Sequence, residues 1–100
     1  MKTRICIVGA GAIGGFIGAR LAASGDAQVC ALARGATLSA LREHGWRLRS
    51  GERLIGGPAR AADDAAELGV QDLVVIAVKG QQLGSLAPTL APLIGPQTVV

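Results

Sequence analysis

The stretch ICIVGAGAIGGFIGARLAASG, residues 5–25, decides the fold. Ile5 to Val8 form an apolar run that reads as a buried strand. Gly9, Gly11 and Gly14 then stand in a G-x-G-x-x-G spacing, directly after that strand and at the opening of a helix predicted over Ala12–Ser24. Glycine is common in this chain, 15 in 100 residues, so the spacing draws its weight from this context. Gly9 permits a tight turn. A side chain at Gly11 would collide with a pyrophosphate resting on the helix N-terminus, and Gly14 lets the helix lie close to the strand. Free amides and the helix dipole would then hold the anion. The loop of Gly9, Ala10, Gly11, Ala12, Ile13 and Gly14 is therefore a candidate dinucleotide-binding element.

Working outward, Ile13, Ile17 and Leu21 fall at i, i+4 and i+8 of the helix, with Gly14, Gly18 and Ala22 on the neighbouring stripe. Gly25 is a natural stop. AQVCALAR (27–34) reads as a second buried strand, and the three elements make one right-handed βαβ unit. A short helix follows within residues 35–45, with Thr37 as its candidate cap and Gly45 as its stop. WRLRSGERLI (46–55) switches to period two and reads as a hairpin, with Trp46 and Leu48 on one side and Arg47 and Arg49 on the other. Trp46 is its apolar plug, and Arg47, Arg49 and Arg53 are its solvated side.

A short strand is expected near Ala59–Ala61, then a helix over residues 63–68 capped by Asp63 or Asp64. DLVVIAVKG (72–80) is the clearest strand after the first. A helix follows from Gln81 to Ile94 that Pro88 can kink or break, and QTVV begins another strand. Strand and helix alternate throughout, so the fold class is α/β: a Rossmann-type, doubly wound, mainly parallel sheet with a β-hairpin insertion.

Composition agrees. Half the residues are apolar but only Phe16 and Trp46 are aromatic, so the core must come from Val, Ile, Leu and Ala, as in a buried parallel sheet. The formal charge is +3, and eight of the ten cations are Arg, a residue suited to phosphate and carboxylate. With no basic run and no aromatic stacking platform, nucleic acid is not an expected partner. Two Cys and one His, far apart, make no metal site. Cys6 and Cys30 read as small buried hydrophobes in a reducing compartment. No uninterrupted apolar run reaches membrane-spanning length, and the glycines would weaken a signal-peptide helix, so a cytoplasmic protein is expected.

The nature of the dinucleotide turns on the end of the second strand. A carboxylate there, about twenty residues beyond the glycines, would grip the ribose 2′-hydroxyl of NAD. This chain has Ala33 and then Arg34. An acid repels a 2′-phosphate, whereas a guanidinium pairs with it bidentately, so NADP(H) is the expected cofactor. Lys79 ends its strand at the carboxyl edge, where its ammonium should reach the cofactor crevice, and Gln82 follows three residues later near the first turn of the next helix. His44 reads as a helix-end histidine with no catalytic task, and Asp63 and Asp64 as caps rather than paired acids.

IVGAGAIGG, ALAR, HGWRLRSGE and VVIAVKGQQL, taken together, make the chain resemble the amino-terminal domain of the ketopantoate reductases (2-dehydropantoate 2-reductases). Arg34 combined with Lys79 and Gln82 in a Lys-x-x-Gln is the most specific part, and the resemblance covers essentially the whole chain. It implies NADPH-dependent reduction of 2-dehydropantoate, a small 2-oxo acid, to (R)-pantoate on the way to pantothenate and coenzyme A. It implies that the glycine loop, Lys79 and Gln82 bind the cofactor and that Arg34 holds the 2′-phosphate. Family members carry a second, helical domain that supplies the general-acid Lys and an acidic residue for substrate. That domain is absent from this chain, so no catalytic residue is assigned, and a homodimer through it is left open. Residues 1–100 are accordingly expected to be an NADP-binding domain cut before its last strands. Two other readings stand beside this one: another NADP-linked hydroxyacid dehydrogenase, and a non-enzymatic nucleotide-sensing module.

Overall fold

The computed structural model describes residues 3–78 and 84–100. In chain order the elements are β1 (Thr3–Val8), α1 (Ala12–Ser24), β2 (Ala27–Leu32), α2 (Gly35–His44), β3 (Trp46–Ser50), β4 (Arg53–Gly57), β5 (Arg60–Ala62), α3 (Ala65–Leu68), β6 (Leu73–Ile76) and a 3₁₀ helix (Ala87–Leu93). Four parallel strands form the main sheet in the order β5-β2-β1-β6. The chain thus winds outward in one direction from β1, then returns to add β6 on its other side. This is the doubly wound pattern expected of alternating strands and helices. Val99 bridges Leu73 in parallel, extending the sheet beyond β6.

Two apolar layers sandwich the sheet. On one face Ile5, Ile7, Val29 and Ala31 pack with Ala19 of α1, with Leu38 and Leu41 of α2, and with Trp46. On the other, Cys6, Val8, Cys30, Leu32 and Val74 pack with Ala65 and Leu68 of α3 and with Leu90 and Leu93 of the 3₁₀ helix. Strand residues alternate between the layers because successive side chains point to opposite faces. Cys6 and Cys30 are register partners, free and buried. Their mutual hydrogen bond and burial push the Cys6 thiol up, while the same hydrogen bond pulls Cys30 down.

The hairpin of β3 and β4 forms a separate two-stranded sheet laid across α1. Trp46 is 2% exposed, and its indole N–H donates to the Val29 carbonyl oxygen at 3.2 Å. A Cβ on Gly18 would fall on the Trp46 ring. One side chain therefore ties the hairpin to a helix and to the sheet. The register puts Arg47 and Arg49 on one face with Leu54, and Arg53 on the other with Trp46 and Leu48. All three arginines are nonetheless exposed, because Arg53 lies at the hairpin tip.

Several local expectations need correction. The Ile13–Ile17–Leu21 stripe is helical as expected but divides: Ile17 and Leu21 pack against the core, Ile13 is 71% exposed, and Gly14, Gly18 and Ala19 are buried. Small residues let α1 approach closely, so Gly14, Gly18 and Ala19 share its contact face with Ile17 and Leu21. Thr37 does not cap α2, which begins two residues earlier with Arg34 in the cap position and no side-chain hydrogen bond. Gly35, at φ +58°, turns the chain there. Of the expected helix, residues 84–86 are α-helical, and it tightens to a 3₁₀ helix over Ala87–Leu93, where Pro88, expected to kink or break it, and Pro92 each remove a donor. Asp64, one of the two expected caps, accepts from Ala66 N at 3.0 Å.

Gly18→Ala in the full-length protein should cost roughly 1–3 kcal/mol, because the new methyl must displace the indole. Trp46→Ala should cost about 3–5 kcal/mol. Urea unfolding checks both, and an unchanged midpoint for Gly18→Ala would count against this account of the hairpin contact.

Candidate functional site

The carboxyl ends of β1, β2 and β5 open on one cleft of about 620 Å³. Gly9 follows β1, Leu32 to Arg34 close β2, Asp63 and Asp64 follow β5, and Val78, Leu86 and Thr89 make the far wall. In open α/β sheets this edge is where ligands bind.

Gly9 brings the glycine loop to this cleft, Ala10 and Gly11 line a separate pocket with α2 and β3, and the three glycines differ in what the fold asks of them. Gly9 has φ +87°, and a Cβ there would also lie 2.6 Å from Val78 Cγ1. Its N–H donates to the Leu32 carbonyl oxygen at 3.0 Å, so the loop is laced to the end of β2. A Cβ on Gly14 would fall on the Gly9 carbonyl oxygen and lie 3.1 Å from Ile7 Cγ2. Both positions need glycine for the chain's own packing. Gly11 does not. Its φ of −72° is ordinary, and a Cβ there would meet nothing within 4 Å. Neither backbone strain nor packing calls for glycine at this position.

Gly11 is also the N-cap of α1, with no side-chain capping hydrogen bond and no acid in the first turn. The opening amides of a 13-residue helix are thus left for another partner. Open space, unpartnered donors and a positive dipole end are what a phosphate group requires. Ala10 and the backbone of Ala12 belong to this turn, and Ile13 projects outward from it.

Arg34 is exposed and lines the same cleft, one turn of chain beyond the end of β2. Its guanidinium makes no hydrogen bond or ion pair to another described residue. Gly9 and Arg34 therefore share one cavity. Lys79 and Gln82 lie outside the described residues. His44 ends α2, exposed, with Nε2 3.8 Å from Glu43. The walls formed by Val78, Leu86 and Thr89 escape a sequence reading because the 3₁₀ helix that brings two of them there is not foreseen. Among the described residues no group of His, Cys, Asp and Glu could hold a metal ion, and no helix is long and apolar enough to cross a membrane.

The sequence model of the family described as Ketopantoate reductase PanE/ApbA matches residues 5–100. The chain belongs to the ketopantoate reductase family. It is 46% identical over 98 residues to a 2-dehydropantoate 2-reductase of Mesorhizobium japonicum, covering 97% of this chain and 30% of that protein. Its structure superposes with a TM-score of 0.92 on a candidate ketopantoate reductase from Ralstonia solanacearum, at 55% identity over 99% of this chain and 31% of that one. The 2-dehydropantoate 2-reductase of Porphyromonas gingivalis gives a TM-score of 0.84 at 31% identity, over 99% of this chain and 37% of that one. The chain thus spans about a third of the length of these relatives.

The different demands on the glycines are measurable as stability. Gly11→Ala should cost no more than about 1 kcal/mol, the modest preference of an N-cap for glycine over alanine. Gly14→Ala should destabilise strongly, by roughly 1–3 kcal/mol or more, because its methyl meets backbone that cannot yield. Thermal unfolding of the two full-length variants would show the contrast, and equal shifts would contradict it.

Proposed function

We propose that this chain is the cofactor-binding part of an NADPH-dependent reductase that converts 2-dehydropantoate, or a closely related 2-oxo acid, to the 2-hydroxy acid. The observation that carries the reading is Gly11, a glycine that neither backbone strain nor packing calls for, at the uncapped start of α1 and two residues beyond Gly9, which lines the open cleft. The Mesorhizobium relative named as a 2-dehydropantoate 2-reductase supports the choice of substrate.

In this reading the amides at the start of α1 take the pyrophosphate, with Gly9 and Gly14 fixing the loop that aims them. Arg34 pairs with the 2′-phosphate, which selects NADP(H) over NAD(H). Lys79 and Gln82, which follow β6 in the sequence, complete the cofactor-binding set. Leu32, Ala33, Val78 and Leu86 give the cleft apolar walls that exclude water from around the adenosine. The bound nicotinamide would supply a hydride to the 2-oxo carbon. Proton donation to the resulting alkoxide and recognition of the substrate carboxylate fall to residues beyond this chain, since no side chain of residues 1–100 is assigned to either task.

The deciding assay is NADPH oxidation by the full-length protein with a panel of 2-oxo acids. Preference for 2-dehydropantoate supports the proposal, and turnover restricted to unrelated 2-oxo acids overturns the substrate assignment. Two variants test the cofactor roles. Gly11→Val should remove NADPH binding, read by calorimetry, while circular dichroism stays unchanged. Arg34→Ala should weaken NADPH roughly ten- to a hundredfold, as the loss of a charge-assisted contact worth about 1.5–3 kcal/mol implies, and leave NADH little affected. Equal loss for both cofactors would remove Arg34 from the 2′-phosphate site.

A further inference from the structure

The opposite edge of the sheet holds a second cavity, of about 390 Å³, at the amino ends of β1, β2 and β5. Arg4, Gln28, Cys30, Arg60, Leu68 and Gln71 are among its lining residues. Register brings the polar side chains together. Arg4 pairs with Gln28, and Cys30 pairs with Arg60, so all four point to the same face of the sheet. The two guanidinium groups then converge on adjacent carbonyls at the end of α3: Arg4 Nη2 donates to Leu68 at 2.9 Å, and Arg60 Nη2 to Glu67 at 2.7 Å.

Two like charges brought to neighbouring atoms repel unless something compensates them. Among the described residues no carboxylate lies within ion-pairing distance of either guanidinium. Asp72 uses Oδ2 to accept from the main-chain N–H of Arg4 at 2.8 Å. The carbonyls satisfy one donor of each Arg, and a guanidinium has five. Gln71 turns its amide NH₂ towards the Leu68 and Gly69 carbonyls, so it adds no negative charge. The field of both arginines also favours the thiolate form of Cys30.

We propose that this cavity is a binding site for a small oxyanion, phosphate or carboxylate, held between Arg4 and Arg60 at the edge of the sheet away from the dinucleotide cleft. A planar fork from each side matches the paired oxygens of either group. The site shares β1 and β2 with the glycine loop but none of the residues of the 620 Å³ cleft.

The test is an NMR titration of the isotopically labelled full-length protein with inorganic phosphate, followed at backbone amides. Saturable shifts at Cys30, Arg60 and Gln71 are expected, independent of any at Gly11 and Arg34. Arg60→Met should weaken the affinity read at Cys30 and Gln71 roughly ten- to a hundredfold, with Arg60→Lys losing less. Arg34→Ala should leave it unchanged. Shifts confined to the Gly11–Arg34 cleft, shifts that do not saturate, or equal affinity in wild type and Arg60→Met would each overturn the proposal. Should Arg60→Met fail to fold, the site-resolved wild-type titration decides the matter alone.

Discussion

The close approach of α1 to the sheet is the constraint on which the rest of the structure depends. Gly14 leaves no room for a methyl group against the Gly9 carbonyl, and Gly18 leaves none beneath Trp46. Because the helix is bare at these two points, β1 can turn sharply into it and the hairpin can lie across it. Proximity then places the first amides of α1 at the mouth of the sheet. The geometry that packs the helix is the geometry that presents its positive end to the cleft. Packing accounts for Gly14 and Gly18 but not for Gly11, where an added Cβ would meet open space.

Trp46 transmits that constraint further. Its indole fills the space vacated at Gly18 and bonds to the Val29 carbonyl of β2. The hairpin, which pairs with no strand of the main sheet, packs both its strands on α1 and sends Trp46 and Leu48 into the core. A two-stranded ribbon alone is marginal in water, so such an anchor is needed. Gly45 and Gly57 bring the ribbon in closely on either side: a Cβ on Gly45 would lie 2.6 Å from the Gly57 carbonyl oxygen.

What was legible in the sequence were features whose cause is local. A strand running into G-x-G-x-x-G, the stops at Gly25 and Gly45, the period-two hairpin and the Asp64 cap each follow from a few adjacent residues, and the structure has all of them. Features set by distant partners were misread. The spacing of Ile13, Ile17 and Leu21 marks a helix without showing that Ile13 stays outside while Gly14 and Gly18 turn inward to Ile7 and Trp46. Thr37 is a favoured N-cap residue type, yet the helix starts earlier, at Gly35, whose positive φ turns the chain out of β2. The 3₁₀ helix reflects two prolines acting together, where one had been weighed. For the candidate site, the loop and Arg34 could be placed from the rule that β2 ends near the glycines, whereas the wall built by Leu86 and Thr89 could not.

Arg4 and Arg60 illustrate the same limit from the other side. In sequence they are 56 residues apart and each looks like an ordinary cation at the start of a strand. Only the order β5-β2-β1 and the pairings Arg4–Gln28 and Cys30–Arg60 bring them over the same end of α3. Their convergence needs an explanation because α3 is only four residues long, so its carbonyls offer hydrogen bonds but little of a macrodipole. A short helix end can orient two guanidinium groups without neutralising them. A doubly wound sheet has two open edges. In this chain the carboxyl edge carries a helix N-terminus and Arg34 alongside Asp63 and Asp64, whereas the amino edge carries two arginine side chains held in place by carbonyls.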